Sequence, residues 1–174
     1  MIFVGGIHGV GKTYFCDIIK KKTGINSYTI SDLIHDNVNL NPNKEVENII
    51  ENQRILLEKV KEIKDEEYIL DGHFCLINKG GEFLKIPSDV FIELKPTRII
   101  VLRDESCRII RRRQTRDGVI LSGRVVEQFQ KMEIEHAKMV AEMMNIPIFI
   151  YKNGHDYKEV LNFVLLGVNN GREV

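Results

Sequence analysis

A glycine-rich segment near the beginning of the chain has the residue types and spacing that bind phosphate groups. Residues 6–13 follow the Walker A pattern G-x-x-x-x-G-K-T, between a short apolar strand and a helix. The glycines allow the backbone to direct successive N–H groups toward phosphate oxygens, and the helix N-terminus adds its partial positive charge. We therefore predict that eight residues bind ATP: Gly6, Ile7, His8, Gly9, Val10, Gly11, Lys12 and Thr13.

Three side chains complete the predicted phosphate chemistry. Lys12 can reach the outer phosphates of ATP as a catalytic cation, and the hydroxyl of Thr13 can bind Mg²⁺. Asp71 ends an apolar strand that begins at Tyr68, so its carboxylate is expected beside the loop, where it would hold the magnesium water shell. Asp-Gly is also a common turn pair, so a purely structural role for Asp71 stays open. The expected cofactors are ATP and Mg²⁺, with Thr13 and Asp71 at the metal.

The chain concentrates arginine between residues 108 and 116. The five are Arg108, Arg111, Arg112, Arg113 and Arg116. In a helix, Arg108, Arg112 and Arg116 share one face, where like charges repel unless an anion lies opposite. Phosphoryl transfer supplies such an anion, because negative charge spreads over the transferred group. A solvated basic face or a nucleic-acid patch is the alternative interpretation.

Short apolar segments alternate with helical patterns along the whole chain. The predicted strands are residues 2–4, 27–30, 68–70, 98–102 and 148–151. The predicted helices are residues 12–22 closed by Gly24, 45–63, 88–94, 104–114, a long segment capped by Ser122, and a last segment around residues 160–165. This alternation predicts one α/β domain over residues 1–174, with a five-stranded parallel sheet and helices on both faces.

The composition limits the kinds of partner that we expect. Twenty-five Lys and Arg residues balance 25 Asp and Glu residues, so no overall field attracts duplex nucleic acid or an anionic membrane. No apolar run approaches the roughly 20 residues that span a bilayer, and the first residues lack the pattern of a signal peptide. Three widely separated cysteines suit reduced thiols. These features favour a cytoplasmic location, and no pattern indicates an oligomeric state.

Several motifs occur in the order in which a known family has them. They are residues 6–13, Thr29-Ile30-Ser31-Asp32-Leu33, Leu70-Asp71-Gly72, Leu94-Lys95-Pro96 before the strand at 99–102, residues 108–113, and Arg116-Asp117. With these motifs the chain resembles, over about residues 1–150, the nucleoside-monophosphate kinases of the adenylate kinase group, especially the archaeal-type enzymes. The phosphate loop is specific to P-loop proteins as a whole, and the order of the other motifs carries the narrower resemblance.

The resemblance implies a fold, a reaction and roles for particular residues. It implies the three-layer P-loop kinase fold with strand order 2-3-1-4-5, acceptor-binding helices at about residues 31–65 and a lid at about residues 108–122. Arg108 would pack on the adenine, while Lys12, Arg112 and Arg116 would neutralise the charge that develops as the ATP γ-phosphate moves to a nucleoside monophosphate.

Two positions depart from the family pattern. His35 and the segment His73-Phe74-Cys75 stand where many family members carry an arginine that holds the acceptor phosphate. A second hypothesis is therefore phosphorylation of a hydroxyl on a small metabolite, nucleoside or polynucleotide end, with Asp32 as the base. A third is an ATPase switch protein that hydrolyses ATP and phosphorylates no acceptor.

Overall fold

The computed structural model describes residues 1–35, 49–78 and 81–166. Five strands form one sheet: β1 (Ile2–Gly5), β2 (Asn26–Thr29), β3 (Tyr68–Asp71), β6 (Arg98–Arg103) and β7 (Ile148–Lys152). Two further strands, β4 (Cys75–Ile77) and β5 (Phe83–Lys85), form a separate hairpin. The helices are α1 (Lys12–Thr23), α2 (Ile30–His35), α3 (Ile49–Glu62), α4 (Ser88–Leu94), α5 (Ser106–Asp117), α6 (Gly123–Met144) and α7 (Lys158–Leu165).

The sheet is parallel throughout, and its strands lie in the order β2-β3-β1-β6-β7. With the hairpin set aside, the five strands numbered along the chain follow the predicted order 2-3-1-4-5. The sequence did not predict the hairpin, because each of its strands has only three residues and the pattern of alternation needs a longer window. β1 is the central strand, so its carboxyl end, where the phosphate loop begins, lies between the ends of β3 and β6.

Burial explains why the short apolar segments became strands. Every residue of β1 and β3 is buried, and so are the first five residues of β6. Strands buried on both faces read as continuous apolar runs, which is the pattern that predicted them. Helix α1 packs against α7, and α6 packs against α4 and α5, which gives the two helical layers that cover the sheet.

Local signals set most helix ends where the sequence predicted them. Gly24 adopts the left-handed conformation and its N–H donates to the carbonyl of Lys20, which closes α1. The Ser122 hydroxyl accepts from the N–H of Val125 at the start of α6. Helix α5 continues three residues past the predicted end, to Asp117, and Gly118 then closes it. The first residues of the predicted helix at 45–63 lie outside the described residues.

Every helix among the described residues is too short or too polar to span a lipid bilayer.

Candidate phosphate-binding site

The phosphate loop joins β1 to α1, as its pattern predicted. Gly9 and Gly11 have φ angles of 84° and 103°, which side-chain-bearing residues rarely adopt. A Cβ on Gly9 would also lie 2.8 Å from Cγ of Arg113, so this position needs glycine for space as well as for conformation. The first N–H groups of α1 have no partner within the helix and are available to phosphate oxygens.

Lys12 lies across the mouth of the loop, with its side chain 9% exposed. Its ammonium donates to the carbonyl oxygen of Gly6 at 2.8 Å and lies 3.7 Å from Oδ1 of Asp71 and 3.5 Å from Nε2 of His73. Burial lowers the pKa of Lys12, while the neighbouring Asp71 carboxylate opposes that shift. The ammonium is therefore held by weak local acceptors at the place where phosphate oxygens would give it stronger ones.

Asp71 ends β3 beside the loop, and its surroundings suit a metal ligand. The residue is 4% exposed, and Oδ1 has no hydrogen-bond partner among the described residues. Burial raises the pKa of Asp71 to about 6, against the opposing effect of Lys12. Mg²⁺ bound with nucleotides usually takes only one or two protein oxygens, together with phosphates and waters. The free carboxylate oxygen and the Thr13 hydroxyl fit that requirement, and the described residues hold no cluster of three or more metal-binding side chains.

Helix α5 brings two of the predicted arginines to the outer side of the loop. Arg112 donates to the carbonyls of Gly9 and Val10 at 3.2 and 3.1 Å and lies 2.7 Å from Oδ2 of Asp104. Arg108 lies 3.8 Å from Oδ1 of the same Asp104 carboxylate, with its side chain 52% exposed. Arg112 thereby binds two carbonyls of the phosphate loop from outside the loop.

The later arginines of α5 share a different partner. Arg116 binds Asp117 through two hydrogen bonds of 2.7 and 3.0 Å, and Arg113 lies 2.5 Å from the same carboxylate. Arg116 and Arg111 line the cavity described next, whereas the aliphatic part of Arg113 packs against Gly9. The face that carries Arg108, Arg112 and Arg116 therefore borders the loop and the cavity, while these three side chains remain exposed.

A cavity of about 980 Å³ extends from the phosphate loop to helices α2, α3 and α4. The cationic residues that line the cavity are Lys12, Arg108, Arg111, Arg112 and Arg116. Among the described residues, Asp71 is the one acidic residue of the lining. The wall opposite the arginines is mostly apolar and includes Ile30 and Ile34 of α2 and Leu56 of α3. The cavity thus has a strongly positive half and an apolar half.

Two histidines meet where these halves join. The rings of His8 and His73 have centroids 4.0 Å apart, and Nδ1 of His73 is buried with no hydrogen-bond partner in the described part of the chain. Burial, with a further contribution from Lys12, lowers the pKa of His8 to about 3 and that of His73 well below its usual value. Both rings are therefore neutral at pH 7 and add no charge to the site.

One predicted site residue does not join the others. Asp32 is exposed on α2 and does not line the cavity, although its neighbour Ser31 does. Its charge still contributes to the raised pKa of Asp71. The side chain of His35 lies outside the described residues.

Three residues at the site were missed by the sequence analysis. Asp104 directly follows β6, and Asn153 directly follows β7, where it donates to the carbonyl of Val10 and to Asp104. The strand-end rule that identified Asp71 could have found both. Glu133 accepts a hydrogen bond from the backbone N–H of Gly6 in the phosphate loop. The sequence feature that could have identified Glu133 is a charged residue on the apolar face of α6.

Comparisons with known proteins identify the family and the fold of this chain. A family model described as an AAA domain matches residues 5–133. Solved structures with the same fold include a deoxyadenosine kinase from M. mycoides with bound dATP, which is 18% identical with a TM-score of 0.55, over 97% of this chain and 98% of that one. They also include a gluconokinase from Sinorhizobium meliloti 1021, at 11% identity and a TM-score of 0.51, over 97% and 91% of the two chains.

A sugar kinase from Janibacter sp. HTCC2649 is 14% identical with a TM-score of 0.51, over 97% of this chain and 93% of that one. No curated protein sequence matches this chain significantly. At these identities the solved structures show the fold: an α/β domain with a five-stranded parallel sheet and a P-loop, flanked by helices. Because the family model covers well over half of its residues, the chain belongs to the AAA domain family.

Proposed function

We propose that this protein transfers the γ-phosphate of ATP to a nucleoside monophosphate, with Mg²⁺ held by Thr13, Asp71 and the ATP phosphates. The phosphate loop and the arginines of α5 support the ATP half of the proposal. The fold neighbours named as kinases support phosphoryl transfer as the reaction class. The cavity beside the loop provides the space for an acceptor.

The observation that carries this acceptor is the charge of the cavity. Five cationic side chains and one carboxylate line it, among the described residues. Outside the lining, Asp104 pairs with Arg108 and Arg112, and Asp117 pairs with Arg116. Positive charge therefore remains beside magnesium-bound ATP where an arginine exchanges its carboxylate partner for phosphate. An acceptor phosphate, with a charge of about −1.5 to −2 near pH 7, would match that excess, whereas a neutral sugar or nucleoside would not. The volume of about 980 Å³ also lies near the upper end of the roughly 300–1,000 Å³ typical of ligand pockets.

The side chains suit transfer between two anions. The ammonium of Lys12 would exchange the Gly6 carbonyl for phosphate oxygens, and Arg116 would exchange Asp117 for the transferred or acceptor phosphate. Mg²⁺ would supply further neutralisation of charge on the phosphate oxygens. An acceptor phosphate is already deprotonated near pH 7, so this reaction requires no protein base. The apolar wall would bind the acceptor's nucleobase and exclude water.

The alternative acceptors fit less well. A hydroxyl acceptor needs a base within hydrogen-bond reach, and Asp32, the predicted base, is exposed and outside the cavity lining. An ATPase switch protein needs no acceptor pocket, whereas the cavity extends beyond the phosphate loop to α2, α3 and α4. We therefore retain the nucleoside monophosphate as the proposed acceptor.

An acceptor screen tests this proposal. The protein would be incubated with Mg²⁺ and ATP together with each common nucleoside monophosphate, nucleosides, sugars or 5′-hydroxyl oligonucleotides, and the products identified by mass. We expect a nucleoside diphosphate from at least one monophosphate. A phosphorylated nucleoside, sugar or oligonucleotide would favour the hydroxyl acceptor, and inorganic phosphate without any phosphorylated acceptor would favour the switch protein.

The matched control uses two lysines of α1. Lys12→Met removes the ammonium at the loop and should abolish transfer, while Lys21→Met removes an exposed ammonium of the same helix and should leave transfer unchanged. Equal activity of the two variants would contradict the assignment of Lys12.

A further inference from the structure

Glu133 is a buried carboxylate on a largely apolar face of α6. The same face buries Val126, Phe129, Ala137 and Val140, and Glu133 itself is 1% exposed. A buried carboxylate is costly unless hydrogen bonds or an opposite charge compensate for its lost hydration. An apolar side chain would satisfy the packing of this face, so the reason for a carboxylate must lie in what it binds.

Glu133 binds three backbone N–H groups from two separate segments. Oε1 accepts from Gly6 at 2.8 Å and from Phe74 at 2.9 Å, and Oε2 accepts from Cys75 at 2.6 Å. Gly6 is the first residue of the phosphate loop, whereas Phe74 and Cys75 follow Asp71 on the neighbouring strand. All three donor residues are buried, so each N–H would lack a partner without this carboxylate.

The carboxylate lies where the backbone pairing of β1 and β3 ends. The last hydrogen bond between these segments runs from the N–H of Gly72 to the carbonyl of Val4 at 3.0 Å. Beyond this hydrogen bond the two segments separate, and the crevice between them is the place where ligands bind in parallel sheets of this kind. Glu133 replaces the missing strand pairing by binding both segments at once, since its two oxygens can accept several hydrogen bonds.

The bond to Gly6 also reaches the catalytic lysine. Glu133 accepts from the N–H of Gly6, and the carbonyl of the same residue accepts from Lys12 at 2.8 Å. On the other segment, His73 precedes Phe74 and lies 3.5 Å from the Lys12 ammonium. A shift of Glu133 would therefore move both backbone segments that border the Lys12 ammonium.

We infer that Glu133 is a positioning residue, which fixes the phosphate loop relative to residues 72–75 and thereby places Lys12 for catalysis. The inference rests on the proposed function to the extent that these two segments face ATP and the acceptor. Glu133 acts through Gly6, Phe74 and Cys75 and is not among the residues that line the cavity.

The protonation of Glu133 gives this role a measurable signature. Burial raises its pKa to about 7, while its hydrogen bonds and Lys12 oppose the shift. As the pH falls through that value, the carboxylate gains a proton and becomes a poorer acceptor for the three N–H groups. Among the described residues, the other titratable groups near this region are Asp71, His73, Cys75, Lys85 and His136. Burial raises the pKa of Asp71 to about 6 and that of Cys75 to about 12, and it lowers the pKa of His73 and of His136.

The first experiment measures binding of magnesium-bound ATP and the transfer rate in Glu133→Gln across neutral pH. The amide keeps the size of the side chain but offers one accepting oxygen, so we expect an affinity for ATP reduced about tenfold, as for the loss of one charge-assisted hydrogen bond. The part of the decline in parent affinity that is centred near pH 7 should be absent from the variant, whereas the part near pH 6 that comes from Asp71 should remain. Glu135→Gln, exposed on the same helix, should behave as the parent. Unchanged affinity, or a pH profile of Glu133→Gln identical to that of the parent, would overturn the inference.

The second experiment needs no variant and no acceptor. Hydrogen exchange of the backbone amides of Gly6, Phe74 and Cys75 would be followed in the parent protein as a function of pH, with protection corrected for intrinsic rates. We expect the three protection factors to fall together as Glu133 gains its proton. Independent behaviour of the two segments would overturn the inference even if Glu133→Gln failed to fold. Because neither ATP binding nor exchange requires transfer, a failed acceptor screen would reject the proposed function and leave this result interpretable.

Discussion

The close approach of Gly5 to Phe74 predicts a large effect from a single methyl group. Gly5 ends β1, and a Cβ at this position would lie 2.5 and 2.6 Å from Cε2 and Cδ2 of the Phe74 ring. It would also come within 3.5 Å of Oε1 of Glu133. Cβ atoms essentially never approach other heavy atoms within 3.0 Å, so Gly5→Ala requires either the ring or the strand to move.

Neither of them can move freely. Phe74 is fully buried, stacks on Phe91 with ring centroids 4.7 Å apart and meets Phe3 edge-on at 5.0 Å. Gly5 is paired with Val101 in the centre of the sheet. Overpacking of a well-filled core costs about 1–3 kcal/mol, which exceeds the roughly 0.5–1 kcal/mol that alanine gains over glycine in regular structure. Subtracting that gain from the cost, we expect Gly5→Ala to lower the free energy of unfolding by about 1 kcal/mol, and by at most about 2.5 kcal/mol.

Chemical denaturation with a matched control measures this difference. A chain of this length loses about 2–4 °C of melting temperature per kcal/mol, so thermal unfolding gives an independent reading. Gly123→Ala adds the same methyl group at the first residue of α6, where nothing lies within 4 Å, and should be neutral or slightly stabilising. Adding Phe74→Leu to Gly5→Ala should cost less than the sum of the single changes, because the smaller side chain relieves the clash. Stability of Gly5→Ala equal to that of the parent would refute the packing argument.

Four further predictions concern the site. Asp71→Asn should raise the Mg²⁺ concentration needed for half-maximal activity, and an unchanged Mg²⁺ titration would remove this residue from the metal site. Asp32→Asn should leave transfer to a monophosphate unchanged, because that acceptor needs no base; a large loss of rate would revive the hydroxyl acceptor. Hydrogen exchange through residues 108–122 should slow when ATP and acceptor are both bound, whereas equal protection with and without ligands would reject the proposed lid. Burial lowers the pKa of His8 from 6.5 to about 3, so the folded state takes up a proton less readily than the unfolded state, and the free energy of unfolding falls as the pH drops below 6.5. In acid denaturation, His8→Gln should therefore lose less free energy of unfolding than the parent over that pH range.

The features that were predicted from the sequence are those that local patterns determine. The phosphate loop depends on a short segment in which each glycine has a backbone reason, and the buried strands appear as continuous apolar runs. Gly24 and Ser122 end and begin their helices through bonds to residues three or four positions away. The strand order came from the resemblance, since the alternation of elements alone allows more than one order.

The features that were missed join residues far apart in the chain. Glu133 and Gly6 are separated by 127 positions, and Asn153 and Val10 by 143. No local pattern indicates which N–H group a buried carboxylate binds, so the position of Glu133 could be noticed but its role could not be inferred. The expected base Asp32 followed the second strand as predicted, but the orientation of its side chain on α2 depends on how that helix packs.

The central position of β1 has a consequence for how the protein folds. Its residues pair with β3 at Ile2 and Ile69, and with β6 at Ile2 and Arg98, so both partners are synthesised well after it. The strand must remain without its partners until about a hundred residues have left the ribosome, and its apolar side chains are exposed during that interval. Such distant pairings carry a high loop-closure cost and slow folding. We expect the phosphate loop to be among the last parts of the molecule to form. Added nucleotide would therefore bind a nearly complete fold and would not stabilise early folding intermediates.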